Sequence, residues 1–134
     1  MDDPGKFFEI KANRRTATIK NLQGLITPRE HFSVCTFGDD FIFAIGGSYY
    51  DFVSARTEFY NIKNNTWTEV AALNKPRYFA SSCALGDFIY SFFGLDEECS
   101  TIACMEILNA DLATKGLPSQ WKLVSVVSAL SPRE

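Results

Sequence analysis

The chain has 134 residues, a formal net charge of −3, and 46% hydrophobic and 14% aromatic residues. That composition is too rich in apolar and aromatic side chains for a disordered chain, and the length suits one domain. No apolar run approaches the ~18 residues that span a bilayer, Met1 to Gly5 has neither the basic start nor the apolar core of a signal peptide, and no Lys/Arg cluster exceeds Arg14-Arg15. Phosphate-backbone binding needs a basic face. Nucleic-acid and membrane partners are therefore excluded, and a cytoplasmic location is expected.

In chain order, Phe7-Phe8-Glu9-Ile10 reads as a first strand, followed by a turn at Lys11 to Arg15. Counted back from Pro28, Ile19, Leu22 and Leu25 take the places that Trp67, Val70 and Leu73 take ahead of Pro76. This stretch is either the tail half of a repeated unit or an N-terminal extension forming one hairpin. Strands are then expected near 31–37, 41–46, 55–62 and 67–71, and again near 79–85, 88–93, 102–109 and 121–126. Branched and aromatic residues dominate these runs, as in Phe41-Ile-Phe-Ala-Ile45. Gly38-Asp39-Asp40 and Gly86-Asp87 carry the chemistry of tight hairpin turns. Leu108 to Lys115 has helical propensity but too few turns to stand alone. An all-β chain of antiparallel meanders is expected.

The pattern repeats. Pro28-Arg29, Pro76-Arg77 and Pro132-Arg133 recur with steps of 48 and 56 residues. Between them Gly38-Asp39 matches Gly86-Asp87, Glu58 matches Glu106, Asn61 matches Asn109 and Trp67 matches Trp121. An insertion at Leu112 to Pro118 accounts for the longer second step, in keeping with insertions falling in loops.

Gly46-Gly47 closing a hydrophobic strand, then Tyr60, then six residues, then Trp67 is an arrangement that resembles the kelch repeat. The second copy departs from it at Phe93-Gly94, which keeps one glycine, and at Leu108, which replaces the tyrosine. Kelch repeats of ~50 residues each build a four-stranded blade of a β-propeller. The resemblance implies an incomplete kelch-type β-propeller with Gly46, Gly47, Tyr60, Trp67, Gly94 and Trp121 as motif residues. Residues 1–27 become a partial blade, 28–75 and 76–131 two blades, the second with its insertion near 111–119, and 132–134 the start of another. A closed ring needs ~4 to 8 blades. This chain then reads as part of a longer propeller, or as a subunit that closes a ring as a homo-oligomer.

Candidate chemistry is sparse. Cys35 and Cys83 stand at the same strand position in successive copies and are expected to pack as small buried residues. Cys99 and Cys104 are spaced too widely for a zinc knuckle, nothing nearby supplies two further ligands, and a cytoplasmic setting favours free thiols. His31 is the one histidine. A copper site like that of galactose oxidase-like kelch propellers takes two Tyr and two His, so this chain cannot build one alone. No metal, cofactor or catalytic residue is assigned, and the chain reads as a non-enzyme. Arg29, Arg77, Glu58 and Glu106 recur with the period, which marks framework: an ion pair or a hydrogen bond linking neighbouring strands. Trp67 and Trp121 read as packing anchors whose N–H reaches a backbone carbonyl.

Function then falls to the loops. Ser48 to Phe52 and Leu95 to Cys99 differ between copies although the flanking strands match, the usual layout of a recognition scaffold. Tyr49, Tyr50, Asp51, Asp96 and Glu97 are the candidate partner contacts. His31 and Phe79 join them, because in kelch propellers residues just after the Pro-Arg pair reach one end of the channel. The resemblance implies a protein-interaction module whose partner is a cytoskeletal protein or a ubiquitin-ligase component; the alternatives are a fragment of a copper enzyme and a purely structural scaffold.

Overall fold

The computed structural model describes residues 7–15, 17–22 and 24–125. The predicted end of the last strand at 126, and residues 132–134, lie outside these. Branched and aromatic runs form the strands. β1 (Phe7–Ala12) and β2 (Ala17–Leu22) pair with each other as an antiparallel hairpin, and among the described residues neither joins another sheet. A four-stranded antiparallel sheet follows in the order β3 (Ser33–Phe37), β4 (Phe41–Ile45), β7 (Thr57–Asn61), β8 (Thr66–Val70). A second repeats it with β9 (Ser81–Leu85), β10 (Phe88–Phe92), β11 (Cys104–Asn109) and β12 (Lys122–Ser125). These are two successive blades, and their first strands, β3 and β9, lie next to each other.

Two elements add to the expected strands. Inside the loop after Gly47, β5 (Ser48–Tyr49) and β6 (Phe52–Val53) form a small hairpin. After β11 there is one helical turn, α1 (Ala110–Thr114), inside the Leu108 to Lys115 stretch whose helical propensity has too few turns to stand alone. Asn109 caps it by accepting from the Leu112 N–H at 3.0 Å, and Ala110 and Ala113 are buried in the core. So short a helix has little stability of its own; burial of its two alanines supplies the rest.

Strand periodicity divides each sheet into two faces. In the first blade Phe43, Ile45 and Phe59 face the second and pack with Ile89, Leu108 and Trp121. Full burial of each such side chain contributes about 1.5–3 kcal/mol. On the opposite face Ala44, Tyr60 and Trp67 pack with Leu25. The Tyr60 hydroxyl donates to Asn65 Oδ1 at 2.5 Å, which ties the Asn-rich turn to its strand.

The glycines sit where backbones meet. Gly46 and Gly47 both have positive φ. A Cβ on Gly46 would overlap the Arg77 carbonyl oxygen at the head of the next blade, and one on Gly47 would lie 2.6 Å from the Glu30 carbonyl oxygen. Gly94 repeats the second of these contacts, 2.8 Å from the Tyr78 carbonyl oxygen. On the outward side of the second blade, Phe93 and Met105 stand where the first blade has Gly46 and Thr57.

The cysteine expectation needs correcting. Cys35 is half-buried and Cys104 buried, but Cys83 is exposed. Matching strand positions share a register without sharing a neighbour: β3 is flanked by β9, whereas β9 has no third blade beside it among the described residues. All four cysteines are free thiols.

Candidate functional site

β3 and β9 start, and β4 and β10 finish, at the same end of the blades. That topology gathers the linkers 24–32 and 71–80 and the loops 46–56 and 93–103 at one end. All seven candidate contacts, Tyr49, Tyr50, Asp51, His31, Phe79, Asp96 and Glu97, belong to these four segments.

Beneath them lies a buried framework. Arg29 and Glu58 form a fully buried ion pair. The guanidinium also donates from Nε to the Gly46 carbonyl at 2.5 Å and from Nη2 to the Ala44 carbonyl at 3.1 Å, while Glu58 Oε1 accepts from the Ile26 N–H at 2.6 Å. The second copy repeats the device. Arg77 Nη2 lies 2.8 Å from Glu106 Oε2, and Glu106 accepts from the backbone N–H groups of Asn74 and Lys75. Each pair stitches an incoming linker to the third strand of its blade. Charges so deeply buried are tolerated because further hydrogen bonds satisfy them.

On this base stands a strained aromatic surface. His31 and Phe79 occupy equivalent positions in the two copies, and their rings pack at a 44° tilt with centroids 4.4 Å apart. The Phe79 N–H donates to the His31 carbonyl at 3.0 Å, and His31 Nδ1 lies 3.2 Å from Ser48 Oγ. Both residues have φ near +55°, where a side chain costs energy. Among the described residues six non-glycines have positive φ, and all except Asn65 lie at this end: His31, Tyr50, Phe79, Phe93 and Cys99. Strain of this kind concentrates at functional sites. Tyr50 stacks edge-on against Tyr49 at 4.5 Å and is 83% exposed, and Phe52, across the hairpin, is 77% exposed.

The two blades carry equivalent clefts beside their linkers. That of the first blade, about 330 Å³, is bordered by Pro28, Tyr49, Phe52 and Arg56. That of the second, about 590 Å³, is bordered by Pro76, Ile102, Asp96, Glu97 and Glu98. Asp96 differs from the other candidates: its Oδ1 accepts from the N–H groups of Glu98 (2.9 Å) and Ser100 (3.0 Å), so it folds its own loop. The Tyr78 hydroxyl lies 3.3 Å from Cys99 Sγ, and this contact, more than burial, raises the pKa of the phenol.

Phe52, Glu98 and Glu30 belong to the same surface but were not singled out by sequence. Phe52 stands at an alternating position beside a Tyr pair, a signal that a second hairpin would have explained. Glu30 reaches the surface because its backbone pairs with Ser48. Among the described residues no group of three His, Cys, Asp or Glu is placed to hold a metal ion, and no helix is long and apolar enough to cross a membrane.

No family model and no curated protein matches the chain. Among solved structures it is similar to that of YjhT, a propeller-type fold, with a TM-score of 0.72 and 11% identity over 90% of this chain and 45% of that chain. The chain is an incomplete β-propeller. It spans less than half the length of the structure it matches, and a likeness at this identity shows the fold alone. The propeller segment thus presents one loop end with an aromatic, strained and acidic surface.

Proposed function

We propose that this chain is a kelch-type propeller segment that serves as a cytoplasmic protein-interaction module, binding another protein through the loop end of its two blades. The observation that carries this is the combination of exposure and strain: His31, Tyr50 and Phe79 hold unfavourable backbone conformations while presenting aromatic rings to solvent. Exposed rings held rigidly lose little entropy on binding, and Tyr is a frequent anchor at interfaces. The buried Arg–Glu pairs supply the rigidity. Support for the kelch reading comes from the repeated spacing and from the close backbone approaches at Gly46, Gly47 and Gly94. The four free thiols suit a reducing compartment.

In this reading the chain is non-catalytic, and the family resemblance suggests a cytoskeletal protein or a ubiquitin-ligase component as partner. A second, scaffolding role is favoured by the outward face of the second blade. Phe88 and Leu85 are exposed there and Tyr90, Phe92 and Ile107 half-buried, as suits a blade that meets further blades of a longer chain or a second copy.

The test is co-purification with a tagged chain, comparing the native protein with Tyr49→Ala/Tyr50→Ala at the loop end and Lys63→Ala/Asn64→Ala at the opposite end. Loss of bound protein with the tyrosine variant alone is expected. Retention by that variant, with loss at the opposite end, would move the interface away from this surface.

A further inference from the structure

We propose that the aromatic surface around Tyr50, Phe52 and the His31–Phe79 pair takes a basic polypeptide segment, one whose arginine or lysine side chains lie over the rings and reach the carboxylates around them. This rests on reading the loop end as a protein-binding surface, and it adds the chemistry of the partner.

The argument begins with charge. Glu30, Asp51, Asp96, Glu97 and Glu98 lie on the loop-end segments, and none is ion-paired with a described residue. The cations of those segments are mostly spent. Arg29 and Arg77 are buried against Glu58 and Glu106, and Arg56 is tied to Glu69 at 2.5 Å. Lys75 alone remains unpaired among the lysines and arginines there. At the opposite end, by contrast, Lys63 is within 3.4 Å of Asp40 and Lys115 within 3.0 Å of Asp111. Asp39 and Asp87, in the turns of the opposite end, are also without an ion pair among the described residues, so both ends are negative, and the larger excess of carboxylates lies on the end that carries the exposed rings.

The rings add to that preference. Aromatic faces are electron-rich and attract guanidinium and ammonium groups, and the methylene stems of Arg and Lys pack on apolar surface while their heads stay polar. Tyr50, Phe52 and Phe79 are all exposed. The cleft at Pro76 and Ile102 has a mixed wall, with Pro76, Ile102 and Ala103 for a stem and Asp96, Glu97 and Glu98 for its head; Lys75 also lines it, so three carboxylates face one ammonium there. Anionic partners, whether nucleic acid or an acidic lipid surface, would meet repulsion.

The experiment uses the 134-residue chain and three fluorescein-labelled nine-residue peptides that alternate leucine with arginine, glutamine or glutamate. Anisotropy titrations are run at low and at physiological salt, with circular dichroism to verify each variant's fold. The arginine peptide is expected to bind, more tightly at low salt, and the glutamate peptide not to bind. Asp51→Asn/Glu97→Gln/Glu98→Gln should weaken low-salt binding on the order of tenfold and flatten its salt dependence. Tyr50→Ala/Phe52→Ala should weaken binding on the order of tenfold at both salts. Equal binding of the three peptides, binding indifferent to both variants, or binding of phosphatidylserine vesicles in place of the arginine peptide would each overturn the proposal. If the loop-end tyrosine variant loses its co-purifying protein while no arginine peptide binds, this inference falls and the protein-binding reading stands.

Discussion

Trp121 donates its indole N–H to Thr57 Oγ1 at 3.1 Å across the joint between the two blades, and to the Ala71 carbonyl at 3.0 Å. The pair lies 64 residues apart in sequence and is buried. It joins the residue that leads into the outer strand of one blade to the third strand of its neighbour. Trp121→Phe, which keeps most of the packing but leaves those acceptors unpaired, is expected to cost about 1–3 kcal/mol, and Trp121→Ala about 3–5 kcal/mol. Urea unfolding followed by fluorescence would measure both.

The Arg77–Glu106 pair should behave as a unit. Glu106→Ala strands a buried guanidinium and takes the acceptor from the backbone of Asn74 and Lys75, so a loss of about 3–5 kcal/mol is expected. Arg77→Met/Glu106→Leu removes both charges and should recover a large part of that loss. A double-mutant cycle checks this, and additive losses would count against a coupled pair.

Gly46 and Gly86 separate two uses of glycine. Both have positive φ, but a Cβ on Gly86 meets nothing within 4 Å, whereas one on Gly46 meets the Arg77 carbonyl. Gly86→Ala should therefore cost about 1–2 kcal/mol, the conformational penalty alone. Gly46→Ala should cost distinctly more and loosen the blade joint, visible as faster amide exchange at Gly47, whose N–H bonds the same carbonyl at 2.8 Å.

Cys35 introduces a pH dependence. Burial raises its pKa from 9.0 to about 11. Between those values the unfolded thiol has lost its proton while the folded one retains it, so the folded state binds more protons and stability falls as pH rises from 9 to 11. The loss should be on the order of 2 kcal/mol at the upper end, and Cys35→Ala should remove this part of the slope. Iodoacetamide at neutral pH should label exposed Cys83 and Cys99 well before Cys35 and Cys104.

The repeat was legible because its markers answer to backbone geometry: Gly46 and Gly94 to close approaches, Arg29 and Arg77 to one hydrogen-bonding task, Trp67 and Trp121 to one packing position. The helical turn at Ala110 was legible only as local propensity over Leu108 to Lys115; that it forms depends on burial of Ala110 and Ala113, which no local pattern reports. The β5–β6 hairpin was hidden because its turn uses Tyr50 at φ +52° in place of the usual Gly or Asn. Exposure of Cys83 depends on which neighbour a strand has, which periodicity leaves open. His31 and Phe79 were placed at one end from sequence. Their contact joins residues 48 positions apart and follows only once β3 and β9 are set beside each other.

The central claim is that the loop end binds protein, and site-specific photo-crosslinking tests it most directly. A benzophenone side chain is placed at Tyr50, and separately at Asn64 at the opposite end, in cells that express the chain. The account predicts a discrete crosslinked protein from position 50 and none from position 64. Crosslinks from position 64 alone, or identical products from both, would contradict it.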